Sequence, residues 1–440
     1  MSREKVAIIG SGPSALVCIS ELKNKVSEIT VFSPTGYSSA DTGDEGQSFT
    51  LVRKDRFEKK EVYSKFSHSL QIKQDGTNFI ESHTIGGLSE IWGGICLPQH
   101  YSERARELCP ESEYIEILKD ICNELSITGS TGEVWEFFTT NATSRNSILG
   151  KPPIALKNSE IWSSREKINQ LHANGLELIS SEVLKIEVKG ENNVVTFHQD
   201  GAIAVREFDR IFVACGPIGD AKLILNSFPQ IRKIEIADSA TEYKVLFKFN
   251  FTTKFKKKMR PDFVGAILGS DNKIETYLQI YPISRQLLRS LPFEKMQFVI
   301  RPFFILVSKF ISIGMIFRGS SNSNSFVIAK TEDGFISMPT KNLTKNKPVN
   351  RKISTLILKF GYLNTPFKII NKPGTGIHSG AFIPSLNFNY GRLAELGIDA
   401  QKIHFVGASS LLVLPTGPIT VSAMANSIYI TRKTIKDLMA

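Results

Sequence analysis

Val6-Ala7-Ile8-Ile9-Gly10-Ser11-Gly12-Pro13-Ser14-Ala15-Leu16 opens the chain in the order apolar strand, glycine turn, helix. The four apolar residues are what a strand buried on both faces requires. Gly10 permits a tight turn, and Gly12 lets backbone approach a pyrophosphate with no side chain in the way. Ala15 stands where a third glycine would allow close packing of helix on strand. The helix running on to Leu22 brings its positive end, with Pro13 and Ser14, toward the phosphates. The spacing therefore predicts a dinucleotide site. At the other terminus Val406-Gly407-Ala408-Ser409 and Leu414-Pro415-Thr416-Gly417-Pro418-Ile419-Thr420 lead into Ala423-Met424-Ala425-Asn426-Ser427. Read together, the two ends predict one nucleotide-binding domain built from both.

One residue expected of such a domain is replaced. The second strand, Ile29-Thr30-Val31-Phe32, should end in an acid that binds the adenosine ribose, and Ser33-Pro34 stands there. A serine hydroxyl can still donate or accept, so the expected ribose contact through Ser33 is weakened and not lost.

Two internal segments extend the pattern. Gly86-Gly87-Leu88-Ser89-Glu90-Ile91-Trp92-Gly93-Gly94 is too rich in glycine for a regular element. Arg210-Ile211-Phe212-Val213-Ala214-Cys215-Gly216-Pro217 is an apolar strand that ends in small residues and enters a Leu-rich helix. Taken singly, the first reads as a structural loop and Ala423 to Ile430 as an ordinary packed helix; their joint order carries the information.

In that order the segments resemble the glucose-methanol-choline oxidoreductase family, over nearly the whole chain except its motif-free middle third. The resemblance implies an α/β fold: a three-layer, Rossmann-like FAD-binding domain with an inserted α+β substrate domain. The first would comprise residues 1–100, 165–235 and 370–440, and the second 101–164 and 236–369. It also implies which residues surround the cofactor. Gly86, Gly87, Ser89, Trp92 and Gly93 would lie against the isoalloxazine ring; Ala214, Cys215 and Gly216 would end the returning strand; Gly407, Ala408, Gly417, Pro418 and Ile419 would close the site.

The same resemblance implies oxidation of an alcohol, with hydride passing to flavin N5 and a histidine near the carboxyl terminus accepting the hydroxyl proton. Lys372-Pro373-Gly374-Thr375-Gly376-Ile377-His378 matches that region, which makes His378 the candidate general base. An imidazole, neutral near pH 7, suits that role. The family's second catalytic residue, a histidine or asparagine just before the terminal proline, is absent: Gly417 precedes Pro418, and Asn426 is expected out of reach. No histidine lies between Ser89 and Gly94, and His83 precedes the glycines, so the expected cofactor is non-covalent FAD.

Composition is compatible with such an enzyme. A chain of 440 residues with 41% hydrophobic content can form a substantial core. Cys18, Cys96, Cys109, Cys122 and Cys215 show no paired metal spacing, and their odd number argues against a disulfide framework, so no metal site is expected. The first strand begins within a few residues of Met1, and the expected location is cytoplasmic.

Three short strands, Val183 to Val188, Val194 to His198 and Ala202 to Phe208, are expected as a meander with a turn at Gly190-Glu191-Asn192-Asn193. Met296 to Phe317 has helix-like apolar spacing interrupted by Arg301, Pro302 and Lys309, which suits an amphipathic surface helix better than a bilayer span. With Lys254-Phe255-Lys256-Lys257-Lys258-Met259-Arg260 and a net charge of +11, it leaves open a peripheral contact with the anionic inner face of a membrane. A buried substrate-domain helix is the alternative. The charge alone names no partner, and without a reading motif nucleic acid is not expected.

The expected substrate is a small-molecule alcohol or sugar, a lipid- or pyrophosphate-linked sugar included, and the electron acceptor is not disclosed. Two other functions are compatible with the same motifs. One is a flavin-dependent isomerase or mutase without net redox change; the other is a redox-inactive binding protein that retains the fold.

Overall fold

The computed structural model describes residues 4–34, 72–77, 82, 84–90, 92–97, 110–127, 147–150, 153–157, 160–199, 201–248, 263–268, 274–282, 310–318, 324–341, 351–370, 381–383, 386, 402–411 and 413–439. Strand Lys5–Ile9 is the centre of a five-stranded sheet. Its order is Ile403–Phe405, Arg210–Val213, Lys5–Ile9, Glu28–Phe32 and Glu177–Ile179. All four pairings are parallel, so every carboxyl end lies along one edge. The chain first moves outward to Glu177–Ile179 and then returns to the opposite side of the first strand. That reversal opens a crevice at the carboxyl edge, where open α/β sheets bind ligands.

Side-chain alternation explains the layers. Val6, Ile8, Val31 and Phe212 point to one face and pack with helices Pro13–Leu22, Glu111–Glu124 and Thr420–Met439. Ala7, Ile9, Phe32, Ile211 and Val213 point to the other, against helix Gly216–Ser227 and the meander. The meander consists of antiparallel strands Val183–Lys189, Asn192–Gln199 and Ala202–Phe208, as the sequence pattern predicts.

Three elements expected in the substrate unit pack elsewhere. Helix Glu111–Glu124 places Tyr114, Ile117, Leu118 and Ile121 at helical spacing into the first core, among residues of the helices at both chain ends. Strands Asn324–Thr331 and Gly334–Lys341 join Ala381–Phe382, Lys233–Asp238 and Ile72–Gln74 in a second sheet. Through Phe326, Ile328 and Phe335 this sheet shares the second core with Ile9 and Phe32. Burial against the two faces of the parallel sheet therefore decides their place, whatever their position in the chain.

A six-stranded sheet is antiparallel, in the order Tyr362–Ile370, Thr241–Lys248, Ile311–Arg318, Ile274–Pro282, Phe263–Leu268 and Ser147–Gly150. Leu246, Leu278, Ile280 and Ile316 pack beneath helix Arg351–Lys359, which contributes Ile353, Leu356 and Ile357. On the opposite face Tyr277, Tyr281, Met315 and Phe317 meet Ile95 and Leu97 of the glycine loop.

The helix expected over Met296 to Phe317 is corrected at its carboxyl end, where Ile311–Arg318 is a strand. Residues 296–309 and the basic stretch Lys254 to Arg260 lie outside the described residues. Among the described helices none is long and apolar enough to cross a membrane.

Leu16 is fully buried where the first and last helices pack. Leu16→Ala is expected to destabilise the protein by about 2–5 kcal/mol, read as a lower urea midpoint with an unchanged slope.

Candidate active site

All five carboxyl ends of the parallel sheet open into one cleft of about 320 Å³, the size class of cofactor and ligand sites. Gly10, Ser33, Ser181 with Glu182, Ala214 with Cys215, and Val406 with Gly407 supply one strand end each. Gly10 has φ +114°, and a Cβ there would stand 2.4 Å from the Ala214 carbonyl oxygen, so no other residue fits the turn. A Cβ added at Gly12 or Gly93 meets nothing within 4 Å. These two glycines hold open the space that a bound group would fill.

Three helices begin at this cleft: Pro13–Leu22 after Gly12, Gly216–Ser227 after Cys215, and Thr420–Met439 after Pro418 and Ile419. None carries an acid in its first turn. Their unpaired N–H groups and aligned dipoles make the cleft favourable for negative charge. The donor set fits the pyrophosphate of a dinucleotide.

The glycine loop is fastened to the first turn by buried serines. The hydroxyls of Ser11 and Ser33 lie 2.6 Å apart, and Ser11 Oγ also accepts the Gly86 N–H at 3.2 Å. Ser89 donates to the Gly86 carbonyl at 2.6 Å, while Ser164 donates to that of Ser11 at 3.0 Å. Trp92 donates its indole N–H to the Trp162 carbonyl at 2.7 Å and packs edge-on against that ring. These anchors set the loop so that Gly87, Ser89, Trp92 and Gly93 line the cleft.

Of the residues expected from the sequence, Gly12, Pro13, Ser14, Gly216, Ala408, Pro418 and Ile419 also line it, whereas Ala15, Gly86 and Gly417 stand behind its wall. Ala15 is buried in the first core, consistent with its packing role. Asn426 ties the final helix to the preceding loop, donating to the Gly407 carbonyl at 3.0 Å and to Ser410 Oγ at 2.9 Å. His378 and His83 lie outside the described residues.

Gly417 has a physical reason to lack a side chain. Its φ is +116°, and a Cβ would come within 2.9 Å of the Tyr277 ring and 3.1 Å of Leu97. Tyr277 comes from strand Ile274–Pro282, and with period-two alternation Gln279 and Tyr281 follow on the same face and line the cleft. Gln279 is 2% exposed and accepts a short hydrogen bond from the Tyr281 hydroxyl. Its cross-strand neighbours are Met315 and Val264, so the amide is a polar point in an apolar row. Sequence reasoning missed these residues, since a lone glutamine between tyrosines in a strand has no motif.

Asp220 was likewise not foreseen. It is fully buried and accepts the Cys215 N–H at 2.9 Å. Burial lifts its carboxyl to about 7, against the opposing pull of Ser409 and that N–H. Cys215 is reached by solvent through the cleft, yet surrounding protein and then the Asp220 charge push its thiol well above the ordinary range. The thiol stays protonated and lies 3.3 Å from the Ile9 carbonyl, which accepts from it.

No family model matches the chain, and no curated protein matches it. Solved structures do. The crystal structure of pyridoxine 4-oxidase from Mesorbium loti superposes with TM-score 0.57 at 10% identity, covering 98% of this chain and 98% of that one. Formate oxidase from Aspergillus oryzae RIB40, in a structure concerned with FAD modification, gives TM-score 0.57 at 11% identity, with 99% of each chain covered. Both are FAD oxidoreductases of the glucose-methanol-choline family. The fold class expected from the sequence is the one these structures share with the protein.

Two measurements check the site. Gly417→Ala forces a left-handed alanine against Tyr277 and is expected to cost about 1–3 kcal/mol, read by urea unfolding. The raised Asp220 carboxyl makes the folded chain keep a proton that the unfolded chain releases above its ordinary value of 3.8. Its contribution is therefore complete below that value and lost as pH rises to about 7. Asp220→Asn is expected to flatten the decline in melting temperature between pH 4 and 7; an unchanged profile would assign the decline to other groups.

Proposed function

We propose that the protein is an FAD-dependent oxidoreductase that acts on the CH–OH group of a small alcohol or sugar. The observation that carries this reading is the single cleft formed by five parallel strand ends, three helix amino termini and the anchored glycine loop. The oxidases of the same fold support it, at an identity that speaks for fold alone.

The residues divide the work. Gly10 to Ser14 and the helix that follows would hold the pyrophosphate. The loop from Gly87 to Gly93 and the residues Pro418 to Thr420 would border the flavin, whose chemistry when bound is to accept the substrate's hydride. Thr420 opens the last helix, and its amino terminus favours negative charge developing nearby. Gln279 and Tyr281 form a neutral polar wall suited to a hydroxyl or carbonyl oxygen. His378 accepts the hydroxyl proton, the role its sequence context implies. Since no histidine lies between Ser89 and Gly94, FAD is held without a covalent bond and acid precipitation releases all of it.

The test is anaerobic mixing of the FAD-loaded protein with a panel of primary alcohols and sugars, followed by flavin absorbance. Bleaching by one of them is expected, and His378→Ala should slow it by about 10²–10⁴-fold with FAD content unchanged. The parental rate should fall as pH drops through the imidazole's pKa, because an imidazolium cannot take the proton. Turnover that demands pre-reduced flavin would replace this reading with the isomerase, and ligand binding without reduction would replace it with the binding protein.

A further inference from the structure

We propose that Glu182 is the carboxylate that recognises the adenosine ribose, in the role that the second strand's missing acid would have had. This rests on the FAD reading. Ser33, at the end of strand Glu28–Phe32, is 1% exposed. Its hydroxyl is tied to Ser11 at 2.6 Å, and its N–H is given to the Ile179 carbonyl at 3.0 Å. It closes the first turn onto the second strand and is poorly placed to serve a ligand.

The neighbouring strand provides the substitute. Glu177–Ile179 pairs in parallel with Glu28–Phe32, with Ile179 opposite Phe32, so the two carboxyl ends are side by side. Beyond it the chain turns, the Ser181 N–H reaching back to the Ile179 carbonyl at 2.9 Å, and Glu182 faces the cleft. Among the described residues that line the cleft it is the sole carboxylate. Its charge reaches Cys215, at the end of strand Arg210–Val213, where it acts together with that of Asp220 to raise the thiol. Its nearness to the second strand comes from the pairing of Glu177–Ile179 with Glu28–Phe32, and its reach toward Cys215 shows that its charge extends across the crevice.

The chemistry matches. A ribose presents two adjacent hydroxyl donors, and a carboxylate offers two acceptor oxygens, an arrangement stronger than a neutral pair. Glutamate is one methylene longer than aspartate and starts one strand further out, so it reaches inward to the position that a shorter acid on the second strand would occupy directly. The three helix amino termini offset its repulsion with the pyrophosphate.

The experiment is equilibrium titration of flavin-stripped, full-length protein, parent against Glu182→Gln, with FAD and with FMN, which lacks adenosine. The variant should bind FAD at least tenfold more weakly, the scale of a lost charged hydrogen bond, and FMN within twofold of the parent. ADP should compete with FAD better than 2′,3′-dideoxy-ADP in the parent, and the two should compete alike in Glu182→Gln. Equal FAD affinity of parent and variant, an equal loss for FAD and FMN, or indifference of the parent to the ribose hydroxyls would each overturn the assignment. Failure of the parent to bind FAD at all would overturn the cofactor reading itself.

Discussion

The fold depends on the packing of its first helix against its last. Pro13–Leu22 is ten residues long, too short to hold together alone in water, and it buries six of them, including Leu16, Cys18 and Leu22. Much of what covers them arrives more than 400 residues later. Thr431 donates to Cys18 Sγ at 3.2 Å, and Arg432 reaches Glu21 and Asp120, each at 2.8 Å, joining both terminal helices to Glu111–Glu124. The glycine turn is thus fixed in space only when the chain's end has docked. That docking also brings Gly407, Pro418 and Ile419 to the cleft, so completing the core and completing the site are the same event.

Much of this was legible because it follows from local constraints. A continuous apolar run into Gly10 and Gly12 has few other uses, and the short alternating strands of the meander obey period two. The strand at Ile311–Arg318 was misread for a physical reason. Its Met315 and Phe317 are buried on one face and Ile316 on the other, and a segment covered on both sides loses the alternation that separates strand from helix. The placement of Glu111–Glu124 and of Asn324–Thr331 was illegible for a different reason, because apolar faces declare that they are buried and not against what. Ser11, Glu182, Asp220 and Gln279 were hidden because each gains its role from a partner distant in sequence.

The electrostatics of the cleft follow a single pattern. Three helix amino termini, together with Lys222 on the cleft wall, supply positive potential. Asp220, which accepts the Cys215 N–H, is buried and its carboxyl is raised to about 7, which limits the negative charge it places beside the cleft. The second-strand acid is replaced by a serine that binds protein, and the remaining carboxylate stands one strand away. Negative charge is in this way kept at the margin and withheld from the centre.

The junction between the two halves shows how the substrate side is positioned. Thr416 donates its hydroxyl to the Ile274 carbonyl at 2.8 Å, and the next residue, Gly417, lies against the Tyr277 ring. Strand Ile274–Pro282 is therefore registered on the same terminal segment that opens the last helix at Thr420. Because Gln279 and Tyr281 continue along that strand, their distance from the cofactor side is set by backbone contact and not by flexible side chains. A side chain at position 417 would have to displace Tyr277 and, with it, the register of the wall. The absence of a polar group before Pro418 and the presence of a polar row on the opposing strand are consequently two sides of one packing solution.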